Sequence, residues 1–192
     1  MIITFIIALI CVLLDQLTKQ LIMHTIEYKS YITVIKGFFT LTYIKNDGVA
    51  FSFNFTENRI VNLIIMTVIS LGALIGFIYI AIKTTKKNEK VWWLRISLGL
   101  LIGGDLGNII DRSFYSDHMV TDFLSFTLYY PWFENGKLII ASSDFAVFNL
   151  ADSFIVVGVI MFLIYMLFLN RNFFIKPDET GPDEVIKVDL NE

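Results

Sequence analysis

Four stretches of this chain are apolar over lengths that ordinary soluble cores do not use. The first, about 3–23, is apolar up to Leu14 apart from Thr4, then carries Asp15, Gln16, Thr18 and Lys19 before Leu21–Met23. It lacks a basic start and a small-residue cleavage site, so it reads as a retained span, not a cleaved leader. The second, about 60–82, has 23 residues and no charge. At about 1.5 Å per residue, such a helix exceeds the ~30 Å hydrocarbon core. The third, about 91–110, holds Arg95 near one end, where its stem can snorkel, with Trp92 and Trp93 suited to the interface. The fourth, about 145–169, contains a single ionisable residue, Asp152, with Asn149 one helical turn before it. Ionising a carboxylate in hydrocarbon costs at least about 2.5–3.5 kcal/mol, so a functional site is the default reading of Asp152.

The segments between these spans follow other patterns. Ile32–Thr42 alternates loosely and is rich in β-branched and aromatic residues, Asn46-Asp47-Gly48 is a turn signal, and Val49–Phe55 resumes the alternation. A small extramembrane sheet is expected there. Residues 113–144 hold Val120-Thr121-Asp122-Phe123, an aromatic patch at Tyr129, Tyr130, Trp132 and Phe133, and a hairpin turn signal at Glu134-Asn135-Gly136. In span two, Gly72 and Gly76 stand four apart and suggest close helix approach, while Asn62, Thr67 and Ser70 suit packing or interhelical contacts. The fold expected is a mainly α membrane protein, with four transmembrane helices and a small β-sheet, as one domain over 1–170.

Composition agrees with that pattern. The chain of 192 residues is 56% hydrophobic with only 17% charged residues, against about 25% charged in soluble domains. Mean hydropathy is +0.68. The net charge of −3 is concentrated in the tail, where Pro177–Glu192 carries six acids against Lys187 alone. Residues 171–192 therefore read as a disordered acidic tail, and no basic face for nucleic acid is visible. One cysteine, Cys11, excludes an intrachain disulfide; with His24 and His118 it gives no metal-ligand spacing. The densest basic cluster, Lys83, Lys86, Lys87 and Lys90, sits in a short loop and marks the cytoplasmic side. Both termini are then cytoplasmic and both long loops extracytoplasmic.

That topology gathers the unusual polar residues. Asp15 and Lys19, four apart and able to pair, lie at the outer end of span one. Asn108, Asp111 and Arg112 share a face at the outer end of span three. Asn149 and Asp152 are expected one to two turns inside the outer end of span four, and Asp122 in the loop beside it. No catalytic cysteine is evident, Ser52 and Ser153 lack a nearby base in sequence, and the Gly103–Gly107 glycines match no nucleotide fingerprint. What remains is aspartates. Two carboxylates in a low-dielectric site share a proton, so one can take a proton from water while the other donates to a carbonyl oxygen. That chemistry needs no cofactor and no metal.

At these residues the chain resembles the lipoprotein signal peptidase (signal peptidase II) family, over roughly residues 10–160. Asp15–Lys19 (DQLTK), Asn46–Ser52 (NDGVAFS), Gly103–Arg112 (GGDLGNIIDR), Val120–Phe123 (VTDF) and Phe148–Ser153 (FNLADS) are similar to its blocks, in order. The resemblance implies a four-helix intramembrane aspartic protease of the bacterial cytoplasmic membrane, with a small extracytoplasmic sheet and a short extracytoplasmic helix. It implies removal of the signal peptide from prolipoproteins, just before a cysteine carrying diacylglycerol, and inhibition by globomycin. Its catalytic aspartates fall on Asp122 and Asp152. Asn108, Arg112 and Asn149 match positions that orient the dyad and substrate, and Asp15, Lys19, Asn46, Gly48 and Asp111 match supporting ones. Membrane lipids and lipid-modified prolipoproteins are the partners implied; nothing requires more than a monomer. Two departures stand out. Asp105 occupies a position that is usually small, and the Asp122–Asp152 interval is longer than usual, which suggests an added hairpin over the site around 129–142.

Other readings are open from the residues alone. Asp152 could be a buried structural hydrogen-bonder, Asp122 an ordinary loop acid, and the aromatic patch an interfacial belt. A proton-coupled transporter also uses intramembrane acids, but needs polar groups at mid-depth and on both sides. Here span two is uncharged and the polar residues cluster on one side. A non-catalytic membrane scaffold leaves the five polar blocks unexplained.

Overall fold

The computed structural model describes residues 1–47, 56, 58–84, 91–134 and 137–169. Gly48, the alternating stretch Val49–Phe55, Lys86, Lys87 and Lys90, the Asn135-Gly136 turn and the tail 171–192 lie outside the described residues.

Four helices are long and apolar enough to cross a membrane. They are α1 (Ile2–Thr25), α2 (Arg59–Lys83), α3 (Val91–Phe114) and α4 (Leu150–Ile164), the last continuing as a π-helical turn at Tyr165–Leu169. Between them lie β1 (Tyr31–Ile35), β2 (Phe39–Asn46), β3 (Val120–Glu134) and β4 (Lys137–Asp144), in one antiparallel sheet of order β1-β2-β3-β4. The short helix implied by the resemblance has no counterpart among the described residues.

α3 is the spine of the bundle, with α1, α2 and α4 packed around it. Leu98, Leu101 and Ile102 are almost wholly enclosed, while the outer faces of α1, α2 and α4 carry exposed Leu, Ile and Val, as lipid contact requires. Without a hydrophobic drive between helices in lipid, close backbone approach supplies the attraction, and small residues permit it. A Cβ on Gly103 would stand 2.6 Å from Cys11 Cβ, and one on Gly104 would stand 2.5 Å from the Ala151 carbonyl oxygen. Those two glycines therefore set the α3–α1 and α3–α4 distances. The pair expected to do so, Gly72 and Gly76, faces open space; a four-residue glycine spacing alone does not say which helix face meets a neighbour. Of the span-two polar residues, Thr67 bonds back to its own helix at Leu63 O (2.8 Å), while Asn62 donates to Asp47 O (3.2 Å).

Three further expectations change in the structure. Asn46 is the last residue of β2, paired with Val120, not a turn residue. Asp122 lies within β3, nearly inaccessible, instead of in a loop. The apolar run from Phe145 does not enter helix until Leu150. Its first residues are extended: Phe148 O accepts from Phe123 N (3.0 Å) and Leu124 N (2.8 Å), and Phe148 N donates to Leu124 O (3.1 Å). Phe126 stacks on Phe39 and Phe148, at centroid distances of 4.7 and 5.8 Å, which holds this segment to the sheet. Hydropathy alone cannot separate an apolar strand from the helix it leads into. A small core of Ile22, Ile26 and Phe123 ties the sheet to the end of α1.

Gly104→Val should lower the thermal unfolding temperature in detergent, since overpacking costs about 1–3 kcal/mol. Gly72→Val, on the lipid side of α2, should leave it nearly unchanged. Equal effects at both positions would contradict this packing scheme.

Candidate active site

One buried cation organises the outer ends of α1 and α3. Lys19 has no accessible surface, and its ammonium meets Asp15 Oδ2 (2.8 Å), Asp111 Oδ2 (3.2 Å) and Asn108 Oδ1 (3.2 Å). An ammonium has three donors, and all three are used. The carboxylates are satisfied as fully. Asp15 Oδ1 accepts from Ala151 N (3.0 Å), in the first turn of α4, where a negative charge is favoured. Asp111 accepts from Gln16 Nε2 (2.9 Å) and from Thr121 N (2.9 Å). That last bond pins the start of β3 to α3, one residue before Asp122. Gln16, not singled out in the sequence, also reaches Gly107 O (3.2 Å); its place beside Asp15 at the polar end of span one was the available signal.

Asp122 and Asp152 arrive from different elements. Strand register sets Asp122 opposite Ile44, and Asn46, diagonal to it, donates to Asp122 Oδ2 at 2.8 Å. The Phe148 bridge to β3 brings the next residue, Asn149, alongside. Asn149 is the N-cap of α4 and forms a capping box with Asp152: its Oδ1 accepts from Asp152 N (3.0 Å), and Asp152 Oδ2 accepts from Asn149 N (3.3 Å). Asp152 is thus in the first turn of α4 and not one to two turns inside the span. Ser153 Oγ donates to Asn149 O (3.1 Å).

Amides join the two carboxylates. Asn149 Nδ2 donates to Asp122 Oδ1 (2.6 Å) and to Asn108 Oδ1 (3.2 Å). Asn108 Nδ2 donates to Asp152 Oδ1 (2.9 Å). Because Asn108 Oδ1 already accepts from Lys19, the orientation of its amide is fixed by the network. Asp122 is 1% exposed, and burial, followed by the nearby carboxylate of Asp152, pushes its carboxyl up to about 7, against the hydrogen bonds from Asn46 and Asn149. Arg112 lies in the field of Asp152, Asp105, Asp111 and Asp122. Asp105 is buried one turn before Asn108, hydrogen-bonded with Ser70 of α2, with Arg112 acting on it electrostatically. A cavity of about 340 Å³ runs beside Asp152, lined among others by Phe145, Phe148, Ile155 and Val156 on the outer side of α4. Asp152 therefore borders an apolar opening along α4. Of the residues expected to act or support, the structure gathers Asp15, Lys19, Asn46, Asn108, Asp111, Arg112, Asp122, Asn149 and Asp152 into one region; Gly48 lies outside the described residues.

Fold and site define a polytopic membrane protein with two carboxylates joined by side-chain amides at one end of its bundle. The family model described as signal peptidase (SPase) II matches residues 7–168. Proteins named lipoprotein signal peptidase are similar along most of their length. That of Chlorobium phaeovibrioides is 38% identical over 88% of each chain. That of Borreliella afzelii is 35% identical over 88% of this chain and 91% of its own. A solved structure described as a bacterial membrane enzyme, determined by the in meso method, matches with a TM-score of 0.67 at 29% identity, covering 91% of this chain and 93% of that one. This chain belongs to the signal peptidase II family, and it is a peptidase.

Lys19→Met leaves two buried carboxylates without their cation, and removing one partner from such a pair costs about 3–5 kcal/mol. The variant should show a large drop in thermal unfolding temperature. An unchanged temperature would mean that Lys19 does not hold the outer end of the bundle together.

Proposed function

We propose that Asp122 and Asp152 are the catalytic pair of an aspartic endopeptidase that removes the signal peptide from diacylglyceryl-modified prolipoproteins, cutting just before the lipidated cysteine. One observation carries the reading: the two carboxylates end a single amide relay, Asp122–Asn149–Asn108–Asp152. The names of the relatives support the substrate class.

In this mechanism the pair shares one proton and holds a water. One carboxylate takes the water's proton as it attacks the scissile carbonyl carbon, while the other protonates the carbonyl oxygen. The first then passes the proton it took to the leaving amide nitrogen as the C–N bond breaks, and the second recovers a proton from the diol hydroxyl as the carbonyl re-forms. Asn108 and Asn149 keep the carboxylates in register, and Arg112 offers a cation to substrate backbone or to developing charge. Asp15, Lys19 and Asp111 support the site from beneath, Asn46 holds Asp122, and Gly48 belongs to the same supporting set. No cofactor is needed. The cavity on the outer side of α4 lets the signal peptide enter from the bilayer while the acyl chains stay in lipid.

The same reading sets the chain, as a monomer, in the bacterial cytoplasmic membrane. Both termini are cytoplasmic, the site is near the extracytoplasmic face, 1–170 forms the peptidase domain and 171–192 a cytoplasmic tail. Globomycin is the expected inhibitor.

Purified protein should cut a prolipoprotein carrying diacylglyceryl on its cysteine and leave the unlipidated form uncut; Asp122→Asn and Asp152→Asn should each abolish cleavage while the fold is retained. If folded wild type cuts neither form, or Asp122→Asn stays active, the mechanism fails, and proton flux in liposomes becomes the reading to measure.

The pH profile follows from Asp122. A carboxyl raised to about 7 keeps its proton below that pH and loses it above, so the acid of the pair is lost on the alkaline side. Cleavage should fall as pH rises through that region. Asn46 stabilises the ionised form, so Asn46→Ala should move the alkaline limb to higher pH. A limb that stays in place, or moves to lower pH, would separate it from Asp122.

A further inference from the structure

The half of β3 beyond the sheet carries an apolar surface that the reaction does not use. β2 pairs with β3 only as far as Phe126, whereas β3 and β4 pair from Thr127↔Asp144 out to Glu134↔Lys137. Over that length each strand has the other as its only strand neighbour among the described residues. Cross-strand partners share a face, so Tyr130, Trp132 and Ile139 lie on one side and Tyr129, Ile140 and Leu138 on the other. All six are exposed, from 39% at Ile139 to 69% at Ile140. Among the described residues neither face is turned onto a core; Tyr129 Oη reaches back to Gly37 O (2.7 Å) with its ring still exposed.

A two-stranded hairpin is marginal in water on its own, and one apolar on both faces adds an unfavourable exposed surface. An apolar patch of this kind marks a contact surface. What covers it follows from charge, composition and connection. Between Asp122 and Asp144 the only charged residues are Glu134 and Lys137, next to the turn. Tyrosine and tryptophan beside aliphatic residues is the composition of a membrane–water boundary. The hairpin also runs through Phe145 and Phe148 straight into α4, whose Val156, Val157 and Ile160 are exposed toward lipid. The depth is bounded as well. The outer edge of β4 presents backbone N–H and C=O groups with no strand partner among the described residues, and such an edge is excluded from the hydrocarbon core. The side chains are poorly placed in water and the backbone edge is excluded from hydrocarbon; the headgroup–acyl boundary satisfies both.

We propose that the β3–β4 hairpin lies in the interfacial layer of the phospholipid leaflet on the side of the active site, with Tyr129, Tyr130, Trp132, Leu138, Ile139 and Ile140 at the headgroup–acyl boundary. It extends the membrane contact of the bundle sideways and sets the height of β3, and so of Asp122, relative to the bilayer. A lipid-anchored cleavage site then meets the pair at a fixed depth.

Trp132 is a built-in probe. The chain has three tryptophans, and Trp92→Phe with Trp93→Phe, both at exposed positions of α3, leaves Trp132 alone. The protein is placed as a single copy in nanodiscs of phosphatidylcholine and phosphatidylglycerol. Lipids brominated near the headgroup should quench Trp132 strongly, lipids brominated near the terminal methyl weakly, and aqueous iodide little. Adding Ile139→Asp and Ile140→Asp should shift emission to the red and open Trp132 to iodide, with thermal unfolding unchanged. The proposal is overturned if iodide quenches Trp132 without quenching by either lipid, which leaves the hairpin in water. It is overturned equally if deep bromines quench more than shallow ones, or if neither iodide nor lipid reaches Trp132, which means protein covers it. The measurement reads no proteolysis, so its failure and failure of the peptidase reading are distinguishable.

Discussion

Asp15, Asp111 and Asp122 are enclosed at one end of this bundle, with Asp152 at its edge, and Lys19 is the cation they surround. Electrostatics in a low-dielectric region punishes every arrangement but a segregated one. The structure segregates. Lys19 is bonded to Asp15 and Asp111, and among the described residues its hydrogen-bonded link to the pair at Asp122 and Asp152 runs through the Asn108 amide. A lysine bonded directly to the pair would favour two carboxylate anions and remove the shared proton that acid–base work requires. The amide therefore fixes Asp152 in position while keeping the Lys19 ammonium one group away from it.

The rest of the fold serves that arrangement. Gly103 and Gly104 let α3 approach α1 and α4 closely enough for Asn108 to reach partners on both. Thr121 N on Asp111 and the Phe148 bridge to β3 bring strand and helix cap together from opposite directions. The sheet is thus part of the site, because one carboxylate of the pair is a strand residue positioned by register. The other is a helix N3 residue positioned by its cap. Either element alone presents a single acid with ordinary chemistry.

This division decides what could be read in the sequence. Spans, their polar ends and the pairing of Asp15 with Lys19 depend on local spacing, and residues four apart on a helix share a face whatever surrounds them. The five family blocks pointed to Asp122 as well as Asp152. Its burial was not legible, since it depends on β2–β3 register and on the bridge between Leu124 and the distant Phe148. The start of α4 was misplaced for the same reason: Phe145–Phe148 is as apolar as a helix and is held extended by a distant strand. Gly72 and Gly76 have the spacing of a packing motif, yet no described residue lies within 4 Å of a Cβ at either, and Gln16 lay unmarked beside Asp15.

The central claim is that Asp122 and Asp152 hold one proton between them in the resting protein. Infrared spectroscopy of the purified protein in lipid tests it without substrate, through the C=O stretch of a protonated carboxylic acid, which an ionised carboxylate lacks. At neutral pH the wild type should show such a band, titrating through the region of Asp122. Asp122→Asn should lose it, and Asp152→Asn should move its titration to lower pH, because burial still raises the Asp122 carboxyl but the neighbouring charge is gone. A band that survives in Asp122→Asn, one that titrates unchanged in Asp152→Asn, or one that never forms in the wild type, would contradict the shared proton and with it the account of the site.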